Sequence, residues 1–148
     1  MKKILLATAA VALMFTACKK DDDKNTTPAN TWTVNGTTYT ATSVTANSTA
    51  NSLTAIDAAN NTISCVFTKM PTSSGTYKIV ESASASDEVT IGSTLATSSI
   101  YLSKTEGKTA EVTVNGTKVS IKVPEIWAMK AASTTDSVKI TADLTQTN

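Results

Sequence analysis

The pentapeptide Thr-Val-Asn-Gly-Thr constrains the fold of this chain more than any other feature, and it occurs twice, at residues 33–37 and 113–117. Asn-Gly between alternating apolar and polar residues is the strongest short-range signal for a β-hairpin, because a type I′ turn needs positive φ at both central residues. A two-residue loop in the first copy sets Trp32 opposite Tyr39 as an aromatic cross-strand pair.

The second copy predicts another hairpin with the same turn. A two-residue loop at Asn115 and Gly116 gathers the apolar residues of both strands on one face and the polar residues on the other, and this agreement specifies the register. The predicted cross-strand pairs are Val114 with Thr117, Val112 with Val119, and Ala110 with Ile121. Because the flanking residues of the two copies differ, we interpret them as two hairpins and not as a duplicated binding unit.

Period-two alternation predicts the remaining strands. The apolar faces of these strands are Ile63, Cys65 and Phe67; Tyr77 and Ile79; Val89 and Ile91; Ile100 and Leu102; and Val138, Ile140, Ala142 and Leu144. Residues 43–58 fit either two short strands or a strand and a loop. Residues 125–131 fit a strand better than a helical turn, because the residue before Pro124 favours an extended backbone.

Composition agrees with an all-β fold. Threonine makes up about a fifth of the chain and suits half-exposed strand faces, whereas aromatic residues make up only 5%. No long segment beyond the apolar N-terminus has helical periodicity. We therefore predict an antiparallel β-sandwich of about eight to ten short strands, with a small lipocalin-like β-barrel as the alternative.

Charged residues argue against several classes of function. All 13 basic residues are lysine, there is no histidine, and the net charge is +1. The absence of arginine removes the bidentate group that reads phosphates and guanine edges, so we expect no nucleic-acid partner. The absence of histidine removes the usual general base and the commonest metal ligand, so we expect no catalytic residues, metal or cofactor.

The N-terminus has the pattern of a secretion signal. Lys2 and Lys3 precede a short apolar run that ends near Phe15, too short to span a bilayer stably. The small residues before Cys18 resemble the lipobox of bacterial lipoproteins, with Phe15 where leucine is usual. The resemblance implies cleavage after Ala17 and a thioether-linked diacylglycerol on Cys18. Two or more acyl chains, such as palmitate, anchor a protein stably to a membrane.

The residues after Cys18 resemble an export signal. Lys20, Asp21 and Asp22 match the Lys-acidic-acidic signal of Bacteroidota-type surface lipoproteins. That resemblance implies delivery to the outer membrane, on the face toward the cell exterior. We expect a signal peptide at residues 1–17, a lipidated cysteine with a flexible acidic tether at residues 18–30, and one β domain at residues 31–148.

The order of features along the chain is similar to a family of small Bacteroidota-type surface lipoproteins with a domain of unknown function. The shared features are the lipobox, the acidic tether, the early Val-Asn-Gly hairpin with Tyr39, and a Pro71-to-Gly75 turn that leads into Tyr77. The resemblance covers most of the chain and implies a β-sandwich-like fold.

Several residues are candidates for functional sites. Trp32, Tyr39 and Trp127 form a candidate ligand platform for sugar rings, although core anchoring explains them better in a domain with so few aromatic residues. Ser137 follows Asp136 in an Asp-Ser-Val tripeptide that resembles an O-glycosylation acceptor of the same bacterial group. Cys65 alternates with apolar residues, which predicts a buried core thiol. The carboxylates Asp57, Asp87, Glu88 and Asp143 are scattered along the chain.

Three functions remain open at this point. The first is a non-catalytic binding or accessory module that contacts a glycan or protein partner, and a ligand-sized cavity would favour it. The second is a structural subunit of a surface assembly, which a long unpaired edge strand would favour. The third is a carboxylate-only hydrolase, which would need two convergent carboxylates, one of them with a raised pKa.

Overall fold

The computed structural model describes residues 30–147, and these residues form one mixed sheet of eleven strands with no helix. The strands are β1 (Thr31–Val34), β2 (Thr37–Thr40), β3 (Ser43–Asn47), β4 (Ser52–Ile56), β5 (Thr62–Phe67), β6 (Gly75–Ile79), β7 (Glu88–Thr94), β8 (Ile100–Ser103), β9 (Thr109–Asn115), β10 (Lys118–Lys130) and β11 (Ser137–Thr145). The all-β prediction is confirmed. Residues 43–58 hold two strands, and residues 125–130 continue β10.

Two limbs of the sheet enclose one core. One limb runs β2-β1-β11-β10 and the other β7-β5-β4-β3. They are linked once through β9 and β6, and again through β8, which pairs with both β10 and β7. A further contact joins the limbs: the amide of Thr147, which follows β11, donates to the Val44 carbonyl of the end strand β3 at 2.9 Å. The sheet is therefore a sandwich with barrel-like closure.

One strand pair departs from the antiparallel prediction. β6 and β7 pair in parallel over Lys78–Glu88 and Ile79–Val89. The chain between them passes along residues 80–87 and re-enters the sheet in the same direction. Alternation along a strand reports which face is buried and carries no information on the direction of a neighbouring strand, so the pattern could not predict this pair.

The core consists mainly of aliphatic side chains from every limb of the sheet. The alternating set on β11 (Val138, Ile140, Ala142 and Leu144) is buried, as predicted, and so is the set on β5. Trp32 is the largest fully buried side chain, and its ring stacks on Tyr39 with centroids 5.3 Å apart. The predicted cross-strand pair of the first hairpin is confirmed.

The two copies of the pentapeptide form different turns, so the prediction of one shared turn is wrong. In the first copy Asn35 and Gly36 both have positive φ, 48° and 79°, as a type I′ turn requires. In the second copy Asn115 pairs with Lys118, and the loop is Gly116 and Thr117.

The predicted register of the second hairpin is therefore also wrong. The observed register sets Val114 opposite Val119 and Val112 opposite Ile121. The apolar face is unchanged because the pairing differs from the prediction by two residues, an even number. The observed register sets two apolar side chains, Val114 and Val119, opposite each other, whereas the predicted register would set Val114 opposite the hydroxyl-bearing Thr117.

The difference between the turns predicts different roles for the two asparagines. Asn35 has positive φ, and its side-chain oxygen accepts from the Lys139 amide at 2.9 Å. We expect Asn35→Ala to lower the free energy of unfolding by about 1–2 kcal/mol, because it loses this bond and strains the turn. Asn115→Ala, the matched control, should change it by less than about 0.5 kcal/mol. Equal losses in urea unfolding would contradict the assignment of two turn types.

Candidate functional site

The most distinctive exposed surface is an apolar strip on the outer face of β8 and β10. We call Ile100, Leu102, Trp127 and Met129 the outer strip. Ile100, Leu102 and Trp127 are 46%, 39% and 41% exposed, and Met129 is half-buried opposite Leu102. Exposed apolar residues that cluster in this way mark interaction surfaces more often than isolated ones do.

The outward direction of Ile100 and Leu102 has a structural cause. Ser103 on β8 is fully buried, and its hydroxyl donates to the Val80 carbonyl at 2.6 Å and accepts from the Ile91 amide at 3.0 Å. Because strand side chains alternate, a buried Ser103 turns Leu102 and Ile100 to the outer face. The sequence prediction of strand β8 is correct, but its apolar residues face outward and not toward the core.

Four linked charged side chains lie near Trp127, and one of them, Lys139, lies over its indole. Lys139 holds its ammonium nitrogen 5.4 Å from the centre of the indole and 2.7 Å from Glu125 Oε1. Glu106 Oε2 accepts from the Trp127 amide at 3.2 Å and lies 4.0 Å from Lys108 Nζ. Lys108 also donates to the Glu125 carbonyl oxygen. We call these five residues the Trp127 site.

A β-bulge at Pro124 and Glu125 builds this site. The pairing of β10 with β11 shifts between Val123 and Ile126, both of which are buried. The two residues between them project outward, so Glu125 joins Trp127 on the outer face while the buried alternation resumes at Ile126. Bulges re-aim side chains and are over-represented next to functional sites. The break in alternation at Val-Pro-Glu-Ile was the sequence signal for this feature.

The outer strip lies far from the point where the chain enters the domain. The side-chain oxygen of Asn30 accepts a hydrogen bond from the amide of Thr145 on β11. Lys139, which pairs with Trp127, lies six residues before Thr145 on the same strand. Six residues of strand span about 20 Å. The strip and the Trp127 site therefore lie toward the end of the β10–β11 pair remote from Asn30.

The three aromatic residues predicted as one platform do not come together. Trp32 is 1% exposed and lies on the inner face with Tyr39, whereas Trp127 projects from the outer face. Trp32 Nε1 is buried without a hydrogen-bond partner in the described structure. Trp32 is thus part of the core, half-buried Tyr39 packs against it, and Trp127 is the most exposed of the three.

Cys65 is fully buried, as its alternation with Ile63 and Phe67 predicts. Burial raises the pKa of its thiol to about 12, because the apolar surroundings disfavour the thiolate. The thiolate is the reactive form, so Cys65 is inert at neutral pH.

The carboxylates lie in three separate places: Asp57 between β4 and β5, the adjacent Asp87 and Glu88 where β7 begins, and Asp143 on β11. Lys78 lies 2.9 Å from Asp87, Glu88 accepts from the Ser84 and Ala85 amides, and Asp143 lies opposite Lys122. The hydrogen bond from Lys78 lowers the pKa of Asp87, and the amides of Ser84 and Ala85 lower that of Glu88. Within residues 30–147, no three His, Cys, Asp or Glu side chains group closely enough to hold a metal ion.

Asp57 gives the stability of the domain a pH dependence. Burial acts to raise its pKa, but bonds from the Asn61 side chain and from the Asn61 and Ala59 amides outweigh it and lower the pKa. A lowered folded-state pKa means that the stabilisation is complete above the ordinary carboxyl pKa of about 4 and is lost as the pH falls through the lower, folded value.

We therefore expect the free energy of unfolding to fall below about pH 4 and to fall less steeply in Asp57→Ala. At pH 7 this substitution should cost about 1–2 kcal/mol from its lost hydrogen bonds. Urea unfolding at pH 7 and pH 3 measures both effects. An acid dependence identical in wild type and variant would contradict the role of Asp57.

The concavities on the described surface are open. One of about 480 Å³ lies over the β3–β4 hairpin and is lined by small, mostly polar side chains, among them Thr45, Asn47 and Ser52. Another of about 290 Å³ adjoins the outer strip, with Leu102 and Met129 in its lining and Glu81, Lys104 and Lys130 beside them. The second therefore extends the outer strip rather than forming a separate site.

The remaining predicted sites fall in two groups. Ser137 is exposed and begins β11, directly after the loop that joins β10 to β11. Cys18, Lys20, Asp21 and Asp22 lie outside the described residues, as does the predicted signal peptide. Among residues 30–147 there is no helix of the length and apolarity that crossing a bilayer requires.

Comparison of the chain with protein-family models, with curated proteins and with solved structures found no match.

Proposed function

We propose that this chain is an outer-membrane lipoprotein whose β domain is a non-catalytic binding or accessory module at the cell exterior. The observation that carries the binding role is the outer strip: three large apolar side chains, each about 40% exposed, cluster beside an ordered set of charges. Their position supports the role, because the strip lies about 20 Å from Asn30, where the predicted tether joins the domain.

The lipid anchor rests on the sequence pattern that ends at Cys18. The predicted tether ends at Asn30, at the end of the domain remote from the outer strip. Exposed Ser137, at the same end as the outer strip, remains a predicted glycosylation site, and a glycan there would face away from the membrane.

The alternative role, a structural subunit, has less support. The end strands of the described sheet are short: β2 has four residues, and β3 has five, of which Val44 already bonds Thr147. A partner strand would therefore gain few main-chain bonds. A carboxylate-only hydrolase also has less support, since each shifted carboxyl pKa among the described residues is lowered rather than raised.

The binding role is tested with the mature protein immobilised through its N-terminus, which reproduces the predicted orientation. It is probed with defined polysaccharides and with detergent-extracted outer-membrane proteins. We expect specific retention that Leu102→Asp abolishes and that Val66→Asp, the same change at a side chain 40% exposed on β5, preserves. No retention, or equal retention by Leu102→Asp, would contradict the proposal.

A further inference from the structure

We propose that the Trp127 site binds a neutral polysaccharide, with the indole as the platform for a sugar ring. This inference rests on the proposed function, because it names the ligand class for the same surface. Three properties of the site favour this ligand: its aromatic platform, its balanced charge and its small apolar area.

The first property is an aromatic side chain that is held in place and only partly covered. Trp127 is 41% exposed although its main chain is paired within β10, and Lys139 approaches it from the neighbouring strand β11. An indole offers a rigid, amphipathic contact surface at little cost in conformational entropy. The C–H groups on one side of a pyranose ring form an apolar face that packs on such a surface through dispersion and weak C–H contacts.

The second property is the charge around the indole. Lys139 and Lys108 contribute two positive charges, and Glu125 and Glu106 contribute two negative ones, so the local charge sums to zero. A ligand with net charge would meet groups of like charge as well as opposite charge, which disfavours it. A neutral polyhydroxylated ligand finds both donors, on the ammonium groups, and acceptors, on the carboxylates.

The third property is the size of the apolar surface. Ile100, Leu102 and Trp127 are each about 40% exposed, which leaves on the order of 250 Å² of surface for side chains of this size. A stable protein interface buries about 800 Å² on each partner. The outer strip is therefore small for a protein partner or a second copy of the chain.

The shape of the surface favours a polymer over a small enclosed ligand. The concavity of about 290 Å³ beside Leu102 and Met129 is open and continues the surface away from Trp127. Lys104, Lys130 and Glu81 on its rim offer two further donors and one acceptor. A second ring of the same chain would lie there.

The test uses the mature, full-length protein in detergent and immobilised mannan, xylan, laminarin and galactan as neutral polysaccharides, with polygalacturonate as the anionic comparison. We expect retention on at least one neutral polysaccharide and weaker retention on polygalacturonate. Trp127→Ala should weaken binding at least about tenfold, equivalent to about 1.4 kcal/mol, whereas Trp127→Tyr should restore most of it. Val66→Ala should bind as the wild type does.

Tryptophan fluorescence provides a second readout that a structural role of Trp127 would not affect. The chain has two tryptophans, of which Trp32 is buried and Trp127 is exposed. Bound polysaccharide should therefore protect the fluorescence of the wild-type protein from acrylamide quenching. In Trp127→Ala, where only the buried Trp32 remains, adding polysaccharide should leave the quenching unchanged.

Two results would overturn the inference: retention on none of the four neutral polysaccharides, or binding that Trp127→Ala leaves unchanged. If an outer-membrane protein is nevertheless retained through Leu102, the proposed function stands and only the ligand class is wrong. If neither class of ligand is retained, both fail.

Discussion

Replacing Ser103 with alanine is expected to lower the free energy of unfolding by about 2–4 kcal/mol, a large share of the 5–15 kcal/mol typical of a domain. The Ser103 hydroxyl lies between two main-chain groups of the parallel pair β6–β7: it donates to the Val80 carbonyl and accepts from the Ile91 amide. Alanine would leave the buried Ile91 amide and the Val80 carbonyl, in a half-buried residue, without this partner. An unsatisfied buried group costs about 1–3 kcal/mol.

The position of Ser103 explains why the effect should be so large. β7 exchanges its partner β6 for β8 between Val89 and Gly92, and Ser103 bridges the gap left by this exchange. The same strand links β10 to β7, so loosening it would loosen the connection between the two limbs of the sheet.

Ser64→Ala is the matched control for Ser103→Ala. Ser64 also lies on a central strand, but its hydroxyl bonds to the Thr54 hydroxyl at 2.9 Å, and both residues are half-buried. We expect a loss within about 0.5 kcal/mol, because water can replace that bond. Urea unfolding of both variants at pH 7 measures the two losses in the free energy of unfolding. Similar losses would contradict the structural role of Ser103.

Replacing Cys18 with alanine is expected to abolish incorporation of an alkyne-tagged fatty acid in cells. The diacylglycerol is predicted on the Cys18 sulfur, and alanine offers no thiol for it. Each buried CH₂ of an acyl chain contributes about 0.8 kcal/mol, so the loss of two chains removes the stable membrane attachment. Processing after Ala17 should be lost as well, because the lipobox-like pattern ends at the cysteine.

Cys65→Ala is the control for Cys18→Ala, because Cys65 is the other cysteine in the chain and is fully buried. It should incorporate the fatty acid as the wild type does. Label that persists in Cys18→Ala, or a wild-type protein that takes up none, would contradict the lipid anchor.

Period-two alternation predicts much of this fold because it reports burial directly. The buried faces of β5, β7 and β11 follow from Cys65, Ile91 and Ile140 with their neighbours, and the first hairpin follows from Asn35 and Gly36. Alternation cannot distinguish two registers that differ by two residues, because both bury the same side chains. Both registers of the second hairpin bury the same face, and cross-strand packing of Val114 on Val119 decides between them.

The candidate site was harder to predict because it depends on contacts between distant parts of the chain. The exposure of Leu102 follows from the bonds of Ser103 to Val80 and Ile91, which no local pattern encodes. Trp127 was a candidate from the sequence, but its neighbours Lys139 and Glu106 reach it through pairing across β11 and from the β8–β9 loop.

Membrane attachment and exposure at the cell exterior both depend on the chemical state of Cys18, and the mass of the mature protein from membranes of its native host tests this directly. We predict a chain that starts at Cys18 and carries the added mass of a diacylglycerol, with or without a third acyl chain. A glycan on Ser137 would add a further, separable mass. A chain with a free, unmodified thiol at Cys18, or one that retains residues 1–17, would contradict the account.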